Sequence, residues 1–472
     1  MKTWKALIAG TWKETSTKVP VINPYTNKPF AKVCFASPAD IETAIAKAVK
    51  AFEITKKLTS YERSQALHSI AEGIRAQREE FAKLLTLETA KPLKHSLAEV
   101  DRAINTFTIA AEEAKRIPGE YLPVDITPLS GSKRAVVGRF PIGPVAGITP
   151  FNFPLNLVAH KIAPALAAGN PILLKPASKT PLSALKLGEL IVESGWPKEA
   201  ISILPSKSAD AQKLVTDDRI KLFSFTGSAD NGWKLKSIAG KKKVVLELGG
   251  NAAAVIDDSA DLERAIERCA WGGYYYSGQN CIHVQRILCH ARIFDEFVRG
   301  FIARVRKFKL GDPFKPDTEM SVMIDEENTR RIEAWVDDAL AKGGRLLYRG
   351  SAPKGMAAPM VLTRVPPACD ISCKEAFGPV VLIDPFEDFD EALERVNDSV
   401  FGLQAGVFTK DINKAWKAFE ALDVGGVIIN DVPTFRVDNM PYGGIKDSGF
   451  GREGVKYAIE DMTELKVMVV HL

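Results

Sequence analysis

Short apolar runs alternate with longer amphipathic segments in the middle of the chain, between residues 145 and 250. Turn residues bound each run, and each segment between the runs repeats its apolar residues at helical spacing. Apolar runs of this kind are typical of strands buried on both faces, and strands that alternate with helices build parallel sheets. The pattern therefore predicts an α/β unit with helices on both faces of its sheet.

The predicted elements follow one another in regular order. Strands are predicted at 145–149, 172–175, 201–204, 221–225 and 244–248, and helices at 156–168, 181–194, 208–215 and 229–239. Thr180, Pro181 and Gly195 are residue types favoured at an N-cap, in a first turn and after the end of a helix. In such sheets the functional side chains lie at the carboxyl ends of the strands. The candidates by this rule are Asn152, Lys175, Gly227 and Glu247.

The flanking segments predict further regions. Short strands are predicted at 3–35, and amphipathic helices from Pro38 onward, at 60–89 and at 94–115. A stretch rich in proline and serine at 119–140 favours a projecting two-stranded arm, and alternating apolar runs from 252 to 430 indicate a second α/β domain. The tail 455–472 combines a helix with an apolar strand. Because an apolar strand edge favours pairing with another chain, we expect a homo-oligomer.

The composition is that of a folded protein with more than one core. The 472 residues are 46% hydrophobic and 26% charged, and a chain of this length usually divides into subdomains. The formal net charge is only +5, and no dense cluster of basic and aromatic residues indicates nucleic-acid binding. No apolar stretch has the length of a membrane span, and the apolar segment near the N-terminus is shorter than that of a signal peptide.

Six cysteines are scattered along the chain without the spacing of a zinc site. This arrangement is typical of a reduced intracellular protein, so we expect a cytoplasmic location and no metal. Cys281 differs from the others because it lies just past a Gly-Gln turn in GYYYSGQNCIHVQR, residues 273–286. Taken alone, a cysteine here is more often a buried apolar residue than a nucleophile.

Two more side chains suit the chemistry of a thiol nucleophile. Glu247 follows the apolar residues of VVLELGG, where partial burial raises a carboxyl pKa into the range of a general base. Asn152, in TPFNFP, has an amide that can donate to a developing oxyanion. Each also has an ordinary structural interpretation, as a capping or ion-paired glutamate and as a turn asparagine. The residues by themselves leave both interpretations open.

Together these segments resemble the aldehyde dehydrogenase superfamily. The matching motifs are TPFNFP at 149–154, VVLELGG at 244–250, SGQNC at 277–281 with Arg286 after it, and KEAFGP at 374–379. The layout is similar over essentially the full length. The resemblance implies an α/β fold of two doubly wound parallel-sheet domains with a small β oligomerisation arm. It implies a cofactor-binding domain at 1–117 and 140–248, a catalytic domain at 249–438, and an arm at 118–139 and 453–472.

The resemblance also implies roles for individual residues. Cys281 is the expected nucleophile, Glu247 the base that activates water, and Asn152 the oxyanion donor, helped by the backbone amide of Cys281. The expected contacts with NAD or NADP are Pro150, Phe151, Lys175, Ser178, Gly227, Ser228, Leu248, Glu375 and Phe377. Members that prefer NAD often have an acid at the position of Ser178. Serine here, with Lys175 and Lys179 nearby, slightly favours NADP.

The substrate side is similar to the branch of the family that handles lactaldehyde and related small polar aldehydes. The candidate substrate residues are Asn156, His160, Arg102 and Arg436. Either arginine can anchor a carboxylate, phosphonate or phosphate, with a surface salt bridge as the alternative. Other candidate activities are non-phosphorylating glyceraldehyde-3-phosphate, succinate-semialdehyde and phosphonoacetaldehyde dehydrogenase. The glyceraldehyde-3-phosphate branch usually has an arginine immediately before the cysteine, where this chain has Asn280.

The sequence thus predicts NAD(P)-dependent oxidation of a small polar or anionic aldehyde to its acid, through a thiohemiacetal and a thioester. Glu247 favours hydrolysis, because members that transfer the acyl group to coenzyme A commonly lack this glutamate. No nucleic-acid or membrane partner is expected, and the oligomer is a homodimer or a homotetramer. Two rival hypotheses are a non-catalytic protein that keeps the fold and a cofactor-independent thiol hydrolase or acyltransferase.

Overall fold

The predicted alternation of strands and helices builds an eight-stranded sheet in the computed structural model, which describes residues 1–471. In spatial order the strands are Gly449–Phe450, Lys243–Glu247, Leu222–Thr226, Val145–Ile148, Ile172–Lys175, Ile201–Ile203, Ala6–Ile8 and Thr11–Lys13. The central strands run parallel, and antiparallel strands complete both edges. This part of the predicted fold is confirmed.

Helices cover both faces of this sheet and enclose two apolar cores. They are Pro38–Thr55, Ser60–Ala76, Arg78–Thr89, Leu93–Glu113, Asn156–Ala168, Leu182–Glu193, Ser208–Thr216 and Ala229–Ile238. The prediction of one continuous helix over 60–89 was wrong. The backbone angles at Gln77 are not helical, and this residue separates two helices.

The start of the helix Leu182–Glu193 also differs from the prediction. Pro181 rather than Thr180 is its N-cap, and the Thr180 hydroxyl makes no hydrogen bond within the described residues. The buried carboxylate of Glu88 accepts hydrogen bonds from the backbone N–H groups of Leu182 and Ser183 instead. A residue 94 positions earlier in the chain therefore provides the cap, which local sequence rules do not reveal.

A second, seven-stranded sheet lies in the C-terminal half, again with mostly parallel strands. Its strands, in spatial order, are Arg345–Arg349, Met360–Thr363, Val380–Phe386, Arg286–His290, Ala253–Ile256, Gln404–Phe408 and Gly426–Ile429. Its helices are Leu262–Tyr274, Phe294–Val305, Glu326–Ala341, Asp370–Cys373, Phe389–Asn397 and Ile412–Ala421. Separate apolar clusters surround this sheet. Two doubly wound sheets of this kind confirm the predicted α/β class.

Smaller sheets complete the structure. One contains Lys2–Trp4, Lys28–Cys34 and Lys18–Asn23, and a two-stranded pair joins Phe401–Gly402 to Ile445–Lys446. A third contains Thr463–His471, Lys133–Pro141 and Glu120–Pro123 in that order, and the helix Val455–Asp461 precedes its last strand.

The strand Thr463–His471 pairs along its whole length with Lys133–Pro141 and forms an edge of that sheet. Four of its apolar side chains are more than half exposed: Leu465, Val467, Met468 and Val469. Within residues 1–471, no helix has both the length and the apolar character needed to span a membrane.

Candidate active site

A cavity of about 590 Å³ is lined by residues from both large sheets and the segments that follow their strands. Most of the predicted site residues line it: Arg102, Pro150, Phe151, Asn152, Asn156, Gly227, Ser228, Glu247, Leu248, Cys281, Glu375, Phe377 and Arg436. Lys175, Ser178 and His160 are not among the lining residues. The three predicted catalytic residues therefore face one space, although they are far apart in sequence.

The loop that carries Cys281 has a constrained backbone. Tyr276, Ser277 and Gly278 are consecutive residues with positive φ, at 51°, 54° and 73°. A Cβ atom at Gly278 would lie 2.1 Å from the carbonyl oxygen of Gly378, so only glycine fits. Ser277 Oγ donates to the carbonyl of Ser321 at 2.8 Å, which ties the loop to a neighbouring segment. These contacts fix the direction from which the cysteine enters the cavity.

The Cys281 thiol lies partly buried, with Sγ 2.9 Å from the hydroxyl oxygen of Tyr442. Burial raises the pKa of this thiol to about 11, and the nearby Glu375 and Glu247 carboxyls act in the same direction. The Tyr442 hydrogen bond and the charge of Arg436 oppose this rise in pKa. The resting thiol is therefore mostly protonated near neutral pH, and the groups around the sulfur control how much thiolate forms.

Asn152 lies directly across from the cysteine loop and is 4% exposed. Its Nδ2 donates to the carbonyl of Gln279 at 3.1 Å, which orients the amide toward the loop. An amide NH₂ group has two N–H donors, so one remains for a ligand. Asn152 Oδ1 has no hydrogen-bond partner among residues 1–471.

A buried ion pair holds the segment that carries Asn152. Glu99 Oε1 accepts from the backbone N–H groups of Leu155 and Asn156 at 2.9 and 3.2 Å, at the start of the helix Asn156–Ala168. Its other oxygen is bonded to Lys91, and both side chains are fully buried. Lys91 Nζ also lies 3.9 Å from the centre of the Phe153 ring. Removing one partner of such a pair typically costs about 3–5 kcal/mol, so this pair firmly supports the segment that carries Asn152.

Glu247 is 2% exposed, and neither of its carboxyl oxygens has a hydrogen-bond partner within the described residues. Burial raises its pKa well above the ordinary value, and the neighbouring Glu453 carboxyl raises it further. Glu453 is in the opposite situation, with Lys161 and Arg436 each 3.1 Å from its carboxylate. Although burial by itself raises the pKa of Glu453, these two cations hold it below the usual range. One of the two buried glutamates is thus ionised, and the other holds its proton.

The far side of the cavity suits a dinucleotide. Glu375 Oε1 accepts from the Gly250 backbone N–H at 3.1 Å, and burial raises the pKa of Glu375 to about 7. A Cβ atom at Gly249 would lie 2.6 Å from Glu375 Oε2, so glycine is needed for this approach. The Phe151 and Phe377 rings meet edge to face, with centres 5.9 Å apart.

A helix terminus beside the cavity adds a place for phosphate. Ser228 is the N-cap of Ala229–Ile238, and its side chain does not cap the helix. The first backbone N–H groups of that helix are therefore available to an anion, in line with the dinucleotide predicted for Gly227 and Ser228.

Lys175 and Ser178 lie away from this cavity, at the end of the strand Ile172–Lys175. Lys175 is buried, which lowers its pKa to about 8, and its Nζ is 3.3 Å from the carbonyl of Pro176. Ser178 Oγ lies 3.5 Å from the carbonyl of Ser206. Lys179, whose charge favours NADP in the sequence-based prediction, is paired with Asp325. Its charge is therefore less available to a 2′-phosphate than the sequence suggested.

The substrate candidates Arg102, Asn156 and His160 all bind one carboxylate oxygen, Oδ1 of Asp438. The distances are 2.7 Å from Arg102 Nη2, 3.2 Å from Asn156 Nδ2 and 2.9 Å from His160 Nε2. Burial lowers the pKa of His160, so its ring is neutral near pH 7. Of these three, Arg102 and Asn156 line the cavity and His160 lies behind it.

Arg436 lies closer to the sulfur. Its side chain is 7% exposed and donates to Glu453, and its guanidinium carbon lies 3.6 Å from the centre of the Tyr442 ring. Its Nε has no hydrogen-bond partner among the described residues. The two predicted arginines are thus in different positions: Arg102 at a more open part of the cavity and Arg436 in its interior.

Sequence reasoning missed four residues that shape the site: Lys161, Asp438, Tyr442 and Glu453. One signal was available, since Tyr442 opens the glycine-rich stretch that ends at Gly454. Such glycines often mark a close backbone approach. A Cβ atom at Gly443 would lie 2.9 Å from Glu247 Oε1, so the stretch does pack against the candidate base.

Comparison with known proteins relates the whole chain to one family. The profile of the aldehyde dehydrogenase family matches residues 12–468. The chain is 41% identical to a 3-sulfolactaldehyde dehydrogenase from Priestia aryabhattai, and the alignment covers 100% of this chain and 99% of that protein.

Two solved structures are similar over nearly their whole length. One is aldehyde dehydrogenase 21 from Physcomitrella patens in complex with its reaction product succinate, with a TM-score of 0.98, 48% identity, and coverage of 99% of this chain and 98% of that chain. The other is the glyceraldehyde-3-phosphate dehydrogenase GapN from Methanocaldococcus jannaschii in complex with NADP. Its TM-score is 0.92, with 37% identity and coverage of 96% of this chain and 98% of that chain.

Proposed function

We propose that this chain, which belongs to the aldehyde dehydrogenase family, oxidises a small aldehyde that carries an anionic group to the corresponding carboxylic acid, with NAD(P) as the oxidant. Oxidation of a small aldehyde follows from the family and its relatives. The observation that carries the choice of an anionic aldehyde is an excess of positive charge around the substrate end of the cavity.

Three cationic side chains and two ionised carboxylates cluster there. The cations are Arg102, Lys161 and Arg436, and the carboxylates are Asp438 and Glu453. Burial keeps Glu247 and His160 uncharged, because it raises the pKa of the carboxyl group and lowers the pKa of the imidazole. Each cation has a carboxylate partner, but the charges of these five groups sum to +1, and a net positive charge at the end of a cavity favours a ligand of the opposite sign.

Some of the relatives support the same substrate class, whereas others are named for lactaldehyde or betaine aldehyde. Those that support it are named for 3-sulfolactaldehyde and glyceraldehyde 3-phosphate, and the solved structure of the moss protein contains succinate. Each of these small molecules bears a sulfonate, phosphate or carboxylate. A sulfonated lactaldehyde or succinate semialdehyde is our first choice of substrate, and glyceraldehyde 3-phosphate, phosphonoacetaldehyde and uncharged lactaldehyde follow.

The chemistry begins at Cys281, whose thiolate adds to the aldehyde carbon to give a thiohemiacetal. The aldehyde oxygen becomes negative in this step, and the N–H of Asn152 that does not bond Gln279 donates to it, as does the backbone N–H of Cys281. When bound, the nicotinamide supplies the hydride acceptor. Glu247 then takes a proton from a water molecule, which attacks the thioester and releases the acid.

The lining of the cavity supports the proposed contacts with the nicotinamide and the pyrophosphate. We assign the nicotinamide end to Pro150, Phe151, Leu248, Glu375 and Phe377, and the pyrophosphate to Gly227 and Ser228. Lys175 and Ser178 would hold the adenosine ribose. We retain a slight preference for NADP, because Ser178 brings no negative charge against a 2′-phosphate, and GapN binds NADP.

The direct test of this function is a spectrophotometric assay of reduced nicotinamide, with each aldehyde of the panel and each cofactor. We expect turnover with an anionic aldehyde and loss of turnover in Cys281→Ala, with cofactor binding retained. Turnover of uncharged aldehydes alone would contradict the anionic class. Hydrolase or acyltransferase activity without nicotinamide reduction, or no activity at all, would contradict the dehydrogenase assignment.

Glu247→Gln separates oxidation from hydrolysis. Glutamine cannot take a proton from water, so we expect one rapid burst of reduced nicotinamide per active site, followed by turnover slower by about 10²–10⁴-fold. In the wild-type protein, hydrolysis should accelerate as the pH rises, because Glu247 must first lose its proton and its pKa is raised. Rapid mixing followed by absorbance measures both phases. Full turnover without a burst would remove Glu247 from this role.

Arg102→Gln tests the anion anchor. A hydrogen bond to a charged group typically contributes about 1.5–3 kcal/mol, so we expect the KM for an anionic aldehyde to rise roughly 10- to 100-fold and that for propionaldehyde to change little. Arg268→Gln is the matched control, since Arg268 also lines the cavity but is bound through two nitrogens to Asp431. An equal rise in KM in both variants, or for both aldehydes, would contradict a specific role for Arg102 in binding the anion.

We also propose that the chain forms a homodimer or homotetramer through the exposed strand Thr463–His471, and that it works in the cytoplasm, in agreement with its six free cysteines. Replacing Val467 and Val469 by glutamate should place charge on this strand and give smaller particles in light scattering coupled to size-exclusion chromatography. The control replaces Ile54 and Tyr61 by glutamate, because these side chains are similarly exposed but lie outside this strand. Dissociation in both variants, or in neither, would contradict assembly through this strand.

A further inference from the structure

The sulfur of Cys281 has a close polar neighbour in Tyr442, and the reaction described above does not use it. The hydroxyl oxygen of Tyr442 lies 2.9 Å from Sγ, within hydrogen-bonding distance for sulfur. The other hydrogen-bond contact of the sulfur, with Oδ1 of Asn280, is longer at 3.9 Å, and that oxygen already accepts from the backbone N–H of Ile282 at 3.1 Å. The tyrosine hydroxyl is therefore the group best placed to act on the sulfur.

Tyr442 is held firmly in this position. Its backbone N–H donates to the carbonyl of Glu453 at 2.9 Å, and its carbonyl accepts from the Glu453 N–H at 2.6 Å. The side chain is 3% exposed, and the guanidinium of Arg436 covers one face of the ring. A side chain fixed by backbone pairing on one side and by a stacked cation on the other keeps its hydroxyl aimed at the sulfur.

The direction of the hydrogen bond follows from what each group can do. A thiolate has no proton and can only accept, so any hydrogen bond to it must come from a donor. Burial raises the pKa of the Tyr442 phenol well above its ordinary value, and the sulfur opposite raises it further. The phenol consequently keeps its proton near neutral pH and is available there as a donor.

We propose that Tyr442 is a catalytic residue that donates its phenolic hydrogen bond to Cys281 Sγ and so stabilises the thiolate that attacks the aldehyde. When the thiol ionises, its proton passes to water in the cavity, and Tyr442 keeps its own. This inference rests on the proposed role of Cys281 as the nucleophile. It adds a residue to the reaction that neither the motifs nor the similarity to the family identified.

Other titratable groups around the sulfur also affect the thiolate. The carboxyls of Glu247 and Glu375 oppose its formation when they are ionised, and Arg436 favours it. Arg436 also lies over the electron-rich face of the Tyr442 ring, where a cation draws electron density away and makes the phenol a better donor. Arg436 thus favours the thiolate both directly and through Tyr442.

The test is the reactivity of Cys281 in Tyr442→Phe, which removes only the oxygen atom. We expect the thiol pKa to rise by about one to two pH units, since hydrogen bonds to charged groups are of this strength. At a fixed pH below that pKa, alkylation of Cys281 by iodoacetamide should slow by roughly 10- to 100-fold. Mass spectrometry of the Cys281 peptide is required, because the exposed Cys373 also reacts.

Tyr275→Phe is the matched control. Tyr275 also lines the cavity, but the hydroxyl that contacts Sγ is that of Tyr442. An unchanged alkylation rate in Tyr442→Phe, or an equal loss in both variants, would overturn the proposal. A second variant works in the opposite direction: 3-fluorotyrosine at position 442 has a more acidic phenol and should lower the thiol pKa. A higher or unchanged thiol pKa in the 3-fluorotyrosine variant would also overturn the proposal.

The experiment needs neither aldehyde nor cofactor, so it separates this proposal from the proposed function. Slower alkylation in Tyr442→Phe supports the role of Tyr442 as a donor to the thiolate, even if no aldehyde of the panel is a substrate. Conversely, an active dehydrogenase whose alkylation rate is unaffected by Tyr442→Phe retains its function and excludes the donor role. Near-ultraviolet circular dichroism of each variant verifies that the aromatic packing is intact.

Discussion

Two carboxyl groups, Glu247 and Glu453, are buried side by side, and the arrangement of the site depends on how they share the nearby positive charge. Glu453 is bonded to both Lys161 and Arg436, whereas Glu247 has no hydrogen-bond partner among the described residues. A buried carboxylate without a partner is costly, so Glu247 holds a proton at rest. The same asymmetry leaves Glu247 free to exchange a proton with a water molecule, which a carboxylate held by two cations does less readily.

The two sheets contribute different parts to this site. Glu247 ends a strand of the first sheet, and the turn of Asn152 follows another, so both positions are set by the sheet itself. Cys281 lies in a loop with three consecutive positive φ values that is tied to Ser321. Fixed geometry on both sides brings the proposed catalytic groups to one cavity before any ligand enters, and such preorganisation reduces the entropic cost of a reaction.

The sequence predicted the parts of the site that depend on strand ends and on short motifs. Cys281, Glu247 and Asn152 were predicted in this way and line one cavity in the structure, and the predicted α/β class of the fold is confirmed. It did not predict contacts between residues far apart in the chain: Tyr442 meets Cys281 across 161 positions, and Asp438 meets His160 across 278. Nor did it predict that Glu88 caps a helix 94 positions away. Such contacts depend on how the sheets and loops pack together, and short sequence patterns do not determine that packing.

The position of Arg436 restricts where an anionic substrate can place its charge. Its guanidinium binds Glu453, stacks on Tyr442 and lowers the pKa of the Cys281 thiol. An anion bound directly to it would cancel part of this field and raise the thiol pKa, just when the thiolate is needed. Arg102 is farther into the open part of the cavity, where 29% of its side chain is exposed. In the proposed function, an anion bound at Arg102 would still be attracted to the cavity and would leave the charge of Arg436 to the sulfur, so the two arginines would have separate roles.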